Sequence, residues 1–358
     1  MVDSELLQKV KDSIRYPDGK RKITCCYCGE ECNRSIIPHL KEKHPDKWEE
    51  WCQDFVHLYN QGYSLKGIWK QYKEVITWVV IEKEIRRVDE EGSVKLKIRE
   101  KDKIKSWEPS SEDFQLQTTT VWSFPLRGDW AVHQSDYRGN WAPEIPRNLI
   151  LQYSDKGDVI LDPFVGGGTT LIECLLLGRN GIGVDITPYA VTMTEERLCE
   201  MEEKSAKTLV DLPDVDVDVI LGDARHLSTV SDASVDLVCA HPPYGNSLRY
   251  TTKIEGDLSH IHDIEEFCDE IEKAANELYR VLKPNKHCAV LIGDIRRNKR
   301  MIPLGFFVME RFRKVGFDVE EIIIKKQHND KSSIFYNNNF LKYQIAHEYL
   351  FIFVKDAK

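Results

Sequence analysis

Four residues near the N-terminus and two short motifs in the second half carry the readable chemistry of this chain. Cys25-x2-Cys28 is followed, after ten residues, by His39-x4-His44. Zinc takes four thiolate or imidazole ligands at the corners of a tetrahedron. A tight turn supplies two thiolates and a helix supplies two imidazoles about one turn apart. The spacing therefore predicts a structural zinc site at Cys25, Cys28, His39 and His44, with both rings on one helix face. Cys26 and Cys32 stand as alternative ligands, and a reduced cysteine patch without metal is the competing reading.

The segment Leu161-Asp162-Pro163-Phe164-Val165-Gly166-Gly167-Gly168-Thr169-Thr170 reads as a strand that delivers an acid to a glycine-rich turn opening a helix. Glycine permits backbone conformations closed to other residues and lets a ligand come close, as in nucleotide-binding turns. Neither Gly-Lys-Ser/Thr nor the dinucleotide spacing G-x-G-x-x-G is present. The next strand ends in Asp185, followed by Ile186, and is placed to meet ribose hydroxyls. The third ends before Asp223 and Ala224, placed to meet an adenine amino group. An adenosine-bearing ligand with no phosphate site fits S-adenosyl-L-methionine.

His241-Pro242-Pro243-Tyr244 follows the fourth strand. Two prolines fix a rigid turn at the carboxyl edge of a sheet, where open α/β sheets bind ligands. An exocyclic amine is a poor nucleophile because its lone pair is delocalised into the ring. Acceptors at residue 241 and at Pro242 can hold its two hydrogens and favour rehybridisation, while Tyr244 offers a flat face for stacking on a base.

The elements that must position these groups follow from patterning. Apolar runs at 159–161, 181–185, 218–223, 235–240, 288–292, 318–324 and 348–354 read as strands. Helices are predicted over 169–177, 263–283 (stopping at Pro284) and 303–315. Alternation of this kind implies a doubly wound, mostly parallel, seven-stranded α/β sheet. Residues 49–80 read as two helices around a turn at Gly62 and Gly67. The expected division is a zinc-finger and helical module over 1–82, a linker over 83–117 and the α/β domain over 118–358.

Composition bounds the function classes. The chain has 358 residues, 41% hydrophobic and 30% charged, an ordinary globular mix. The net charge of −9 argues against coating nucleic acid by bulk charge. That charge is uneven: residues 1–110 hold 22 Lys/Arg against 20 Asp/Glu, the remainder 28 against 39. Polyanion contact is therefore expected from the N-terminal third or a local groove. Lys41 and Lys43, with Lys20, Arg21 and Lys22, form a modest basic patch, for which a solvated helix face is the plainer reading. No apolar run of about 18 residues occurs, so no membrane span is expected. No secretory signal is visible at Met1–Glu5, so a cytoplasmic location is expected and the ten cysteines read as metal ligands or buried apolar groups.

With these residues in hand, the chain resembles the S-adenosylmethionine-dependent amino-methyltransferases that modify DNA at cytosine N4 or adenine N6, over roughly 118–355. Asp162-Pro163-Phe164-x-Gly166-x-Gly168-Thr169-Thr170 is similar to the family's cofactor motif, and 241–244 to its catalytic motif. The segment from Trp122 through Ile150, with Trp141 and Pro143, is similar to the motif upstream of the cofactor strand. The resemblance implies a Rossmann-like methyltransferase sheet, a double-stranded DNA substrate with base flipping, and a role in restriction–modification. RNA is the less favoured substrate, and a decayed nucleic-acid-binding protein the third reading. Two departures stand out. His241 replaces the usual acid, amide or hydroxyl, which favours cytosine N4 slightly and predicts loss of activity as the imidazole protonates between pH 5 and 8. The cofactor motif also precedes the catalytic one, which removes the usual place of a target-recognition domain and assigns that task to the N-terminal module. Arg249, Tyr250, Lys253 and 296–300 are candidate phosphate contacts, and 325–343 a candidate closing loop.

Overall fold

The computed structural model describes residues 4–15, 22–33, 35–60, 68, 71–72, 75–76, 80–81, 104–137, 139–244, 254, 256–297, 300–328 and 343–357. Gly62, Gly67, Lys20, Arg21, Arg249, Tyr250, Lys253, Asn298, Lys299 and most of 325–343 lie outside that set.

The N-terminal region begins with helix α1 (Ser4–Asp12). Strands β1 (Lys22–Thr24) and β2 (Glu31–Asn33) pair antiparallel. Between them the chain turns tightly. Gly29 takes φ +76° and its N–H donates to the Cys25 carbonyl at 2.9 Å, a conformation that L side chains resist. Helix α2 (Ile37–Lys43) carries Pro38 in its first turn, where no N–H is needed, and buries Ile37 and Leu40. Helix α3 (Pro45–Asn60) follows at once. Its Trp51 and Phe55 are fully buried, with Tyr72 edge-on to Phe55 at 4.8 Å.

Strand β3 (Val121–Ser123) and helix α4 (Glu144–Tyr153) precede the sheet core. The core then alternates: β4 (Val159–Asp162), α5 (Thr169–Leu177), β5 (Asn180–Asp185), α6 (Pro188–Thr208), β6 (Val217–Leu221), β7 (Val235–Ala240), α7 (Ile264–Val281), β8 (Leu282–Ile292). A short hairpin, β9 (Ile295–Arg297) and β10 (Arg300–Ile302), leads to α8 (Leu304–Val315), β11 (Asp318–Lys326) and β12 (His347–Lys355). The large sheet runs β3-β11-β12-β8-β7-β4-β5-β6. β8, β7, β4, β5 and β6 are parallel, and β12 is antiparallel to both its neighbours. Every residue of β4, β5 and β7 is buried, as expected of a parallel sheet covered on both faces.

Two sequence expectations are corrected here. Among the described residues the sheet has eight strands, because Val121–Ser123 adds a three-residue edge beside β11; a run that short has no alternation to betray it. Helix α7 ends at Val281, and Pro284 lies inside β8. The β7–β8 register shifts there, from Val235↔Leu282 to Leu237↔His287, and Asn285 takes φ +58°. Proline at a bulge interrupts no ladder hydrogen bond, so it breaks neither element.

The expected linker lies outside the described residues as far as 103. From Ile104 the chain packs down: Ala131 N donates to Ser106 O at 2.7 Å, and Gln117 N to Asn148 Oδ1 at 2.7 Å. Sequence reasoning also missed a buried polar knot. Glu173, inside the apolar helix α5, accepts from Trp130 Nε1 at 2.7 Å and from Arg147 Nη1 at 2.8 Å, with His133 Nε2 at 2.7 Å. It ties the segment before β4 to the helix that follows the glycine turn. Glu173→Ala leaves Arg147 facing only Glu108 and should lower stability by about 3 kcal/mol, read from urea unfolding midpoints.

Candidate functional site

The carboxyl ends of β4, β5 and β7 surround a cavity with about 720 Å³ of space between atoms, part of it open to solvent. Of the residues singled out in the sequence, Trp141, Pro163, Phe164, Gly166, Asp185, Ile186, Asp223, Ala224, His241 and Pro243 line it. Pro143, Asp162, Gly168, Thr169, Thr170, Pro242 and Tyr244 do not.

The second group frames the first. Asp162 is buried and accepts from Phe164 N at 3.0 Å and from the Thr170 hydroxyl. Burial pushes its carboxyl up to about 7 against those hydrogen bonds. Thr169 Oγ1 donates to Asn140 Oδ1 at 2.7 Å, binding the helix start to a cavity-lining residue. Gly166 and Gly168 take φ +51° and +79°, and Gly168 opens α5. A side chain at 168 would also strike Thr194, whose hydroxyl donates to Gly166 O at 3.0 Å. The turn is thus shaped by backbone conformation and pinned from α6.

Asp185 holds the turn from the other side. One carboxylate oxygen accepts from Gly166 N at 3.0 Å, the other from Thr187 N and Oγ1 at 2.8 and 2.7 Å. One lone pair remains, on the oxygen that accepts from Gly166, and the residue lines the cavity. Asp223 also lines the cavity. It accepts from the backbone N and the guanidinium of Arg225, which also bridges to Glu270 and Gly256 O. Burial opposes the Asp223 charge, but the Arg225 hydrogen bonds outweigh it and hold the carboxyl below its ordinary range. Its oxygens are therefore largely committed to Arg225.

His241 stacks on Trp141 with ring centroids 5.6 Å apart and planes at 18°. Its Nε2 lies 3.1 Å from the Tyr244 hydroxyl, which donates to Glu348 Oε1 at 2.7 Å. Burial pushes the imidazole down to about 4; Glu348 opposes that and Lys325 adds to it. With that value the imidazole is mostly neutral above pH 5, which moves the expected activity loss to lower pH. The rate should show no His241 inflection from pH 8 to 5, and a fall through about pH 4, measured as initial methylation rates. The sign for folding agrees: unfolded chains protonate the ring near 6.5 and the folded site does not, so its contribution to stability is full above that value and declines as pH falls toward 4.

Other lining residues, among them Tyr137, Asn140, Thr187, Asp257 and Leu258, were not singled out as ligand-binding in the sequence. Asn140 lay within a quoted motif; Asp257 follows a segment with no motif at all.

Cys25, Cys28, His39 and His44 converge, their ligand atoms all within 4.8 Å of one another. Cys28 Sγ is 3.2 Å from His39 Nε2. Bonds of about 2.0–2.3 Å to a tetrahedral zinc demand spacings of this order. His39 Nδ1 lies 3.6 Å from Glu30 Oε2, leaving Nε2 for a metal, and the buried His44 Nε2 has no hydrogen-bond partner. The donor set fits zinc. Cys26 and Cys32 are outside the group. One detail differs from expectation: His44 does not lie within the helix but caps it, with φ −134°. Of the basic patch, Lys22 pairs with Glu31 at 3.1 Å and Lys41 sits over Trp48 at 5.0 Å. Arg296 and Arg297 donate to the carbonyls of Tyr343 and His262.

A family model described as DNA methylase matches residues 22–196 and 235–358, most of the chain. The chain belongs to the N4/N6 DNA methylase family. A second model, described as an RMKL-like methyltransferase domain, matches residues 149–263. Type II methyltransferase M.MjaII of Methanocaldococcus jannaschii is 36% identical over 77 residues, 21% of this chain and 14% of that one. Type II methyltransferase M.HpaI of Haemophilus parainfluenzae is 50% identical over 50 residues, 14% of this chain and 16% of that one. A tRNA (guanine(10)-N2)-dimethyltransferase of Methanothermobacter thermautotrophicus is 37% identical over 112 residues, 31% of this chain and 30% of that one. The matched segments thus span well under two thirds of these relatives. The structure of a DNA modification methylase from Thermus thermophilus, complexed with S-adenosyl-L-methionine, is 30% identical over 38% of this chain and 54% of that one, with a TM-score of 0.29. Among the described residues, no helix is long and apolar enough to cross a membrane.

Proposed function

We propose that this DNA methylase transfers a methyl group to the exocyclic amino group of a base flipped out of double-stranded DNA, at a specific site as in restriction–modification, with cytosine N4 favoured over adenine N6. The observation that carries the reading is that His241 and Pro243 line the same cavity as Asp185, at one sheet edge. S-adenosyl-L-methionine supplies the methyl group when bound. Asp185 accepts hydrogen bonds from ribose hydroxyls, and Phe164 and Ile186 cover apolar ligand surface. Trp141 packs on His241 and holds its ring. An acceptor nitrogen of His241 and the Pro242 carbonyl take the two amine hydrogens, which localises the lone pair for in-line attack on carbon. Tyr244, fixed by its hydroxyl, stacks on the base. The N-terminal region up to residue 82, with zinc on Cys25, Cys28, His39 and His44, reads the target; 83–117 links it to the transferase domain over 118–358.

A second reading, an RNA base methyltransferase, is favoured by the tRNA dimethyltransferase segment alone. Nucleoside mass spectrometry after incubation with S-adenosyl-L-methionine and unmethylated DNA or total RNA separates them. N4-methylcytosine in DNA is the expected product. Methylation confined to RNA, or no product at all, overturns the proposal.

A further inference from the structure

The acceptor role of His241 depends on which ring nitrogen carries the proton, and residues from separate strands bear on that. Lys325 on β11 and Glu348 on β12 are cross-strand partners, with Lys325 Nζ 2.8 Å from Glu348 Oε2. Glu348 is buried. Burial opposes its charge, but Lys325 outweighs that and keeps the carboxyl below its ordinary range. An ionised carboxylate only accepts hydrogen bonds. The Tyr244 hydroxyl proton therefore points to Glu348 Oε1, 2.7 Å away, and Tyr244 Oη accepts from His241 Nε2 at 3.1 Å. A neutral imidazole with its proton on Nε2 has a bare lone pair on Nδ1. That nitrogen makes no hydrogen bond among the described residues, and its residue lines the cavity. Gly293 makes the arrangement fit: a Cβ there would come within 3.0 Å of the Tyr244 ring and 3.3 Å of Glu348.

We propose that Lys325 and Glu348 are positioning residues which, through Tyr244, hold His241 as the Nε2–H tautomer and so present Nδ1 as the acceptor for one hydrogen of the reacting amine. The inference rests on the methyl-transfer reading for its consequence, but not for its geometry. An imidazole whose proton sat on Nδ1 would present a donor to a donor. Among the described residues, the charged groups that act on His241 are Glu348 and Lys325 themselves.

The test uses the full chain. Nitrogen-15 NMR of the imidazoles, with His241 assigned by its loss in His241→Asn, should find the proton on Nε2 at pH 7. In Glu348→Gln, Lys325 repels the amide NH2 and draws its oxygen. The amide then donates to Tyr244, the hydroxyl turns toward His241, and the ring proton moves to Nδ1. kcat should fall about 10²-fold while the dissociation constant for S-adenosyl-L-methionine changes less than about twofold. Tyr244→Phe keeps the ring but removes the hydroxyl; it should give mixed tautomers and a similar fall, and it serves if Glu348→Gln does not fold. A wild-type proton on Nδ1, or variants that alter neither tautomer nor kcat, overturns the relay. A wild type that methylates nothing sinks the methyl-transfer reading instead, while the tautomer still decides the relay.

Discussion

Cys28→Ala protein should purify with less than about a tenth of the zinc held by the wild type, and its N-terminal region should be cut by protease at concentrations that spare the rest. The cluster offers four donors and no spare, since Cys26 and Cys32 lie outside it. Around it, β1 and β2 are three residues each, and α2 is seven. Elements that short do not hold by themselves. Binding energy at structural zinc sites, of order 10 kcal/mol in isolated fingers, is folding energy. Cys199→Ala, on α6 and outside the cluster, should keep full zinc and serves as the control. Metal content by plasma mass spectrometry and limited proteolysis give the answer. A wild type that folds over 22–60 with no zinc removes the metal from the account.

Asp185→Ala should weaken S-adenosyl-L-methionine binding about 10³-fold, or about 4 kcal/mol, by calorimetry. Two losses combine. A carboxylate accepting from a ribose hydroxyl contributes roughly 1.5–3 kcal/mol. The same group anchors Gly166 N and both donors of Thr187, so its removal also loosens the turn. Asp223→Ala should cost less, because Arg225 already occupies that carboxylate and would keep its pairing with Glu270. Equal losses at the two aspartates would show that Asp185 has no special standing.

Much of the site was legible because local chemistry forced it. A strand-ending acid, a glycine turn and two prolines constrain the backbone over a few residues, and the parallel sheet brings successive strand ends to one edge. Trp141, Gly166, Asp185 and His241 therefore fall on one cavity. The same local logic did not show that Asp162, Thr169 and Thr170 lie behind the cavity wall, since a motif shows that a side chain matters but not which way it faces. Both faces of the turn are crowded, and these three are drawn to backbone and neighbours.

Taken by itself, the amino-acid sequence determined the α/β alternation, the four-residue Cys/His group and the order of the motifs, because hydrophobic periodicity and short spacings are local properties of the chain. Only the tertiary structure decided the protonation of His241 and its partners. Tyr244 lies three residues from His241, but Glu348 lies 104 residues beyond Tyr244, and Lys325 reaches Glu348 only through the pairing of β11 with β12. Burial pushed the imidazole down to about 4, and burial is a property of the assembled sheet rather than of any stretch of sequence.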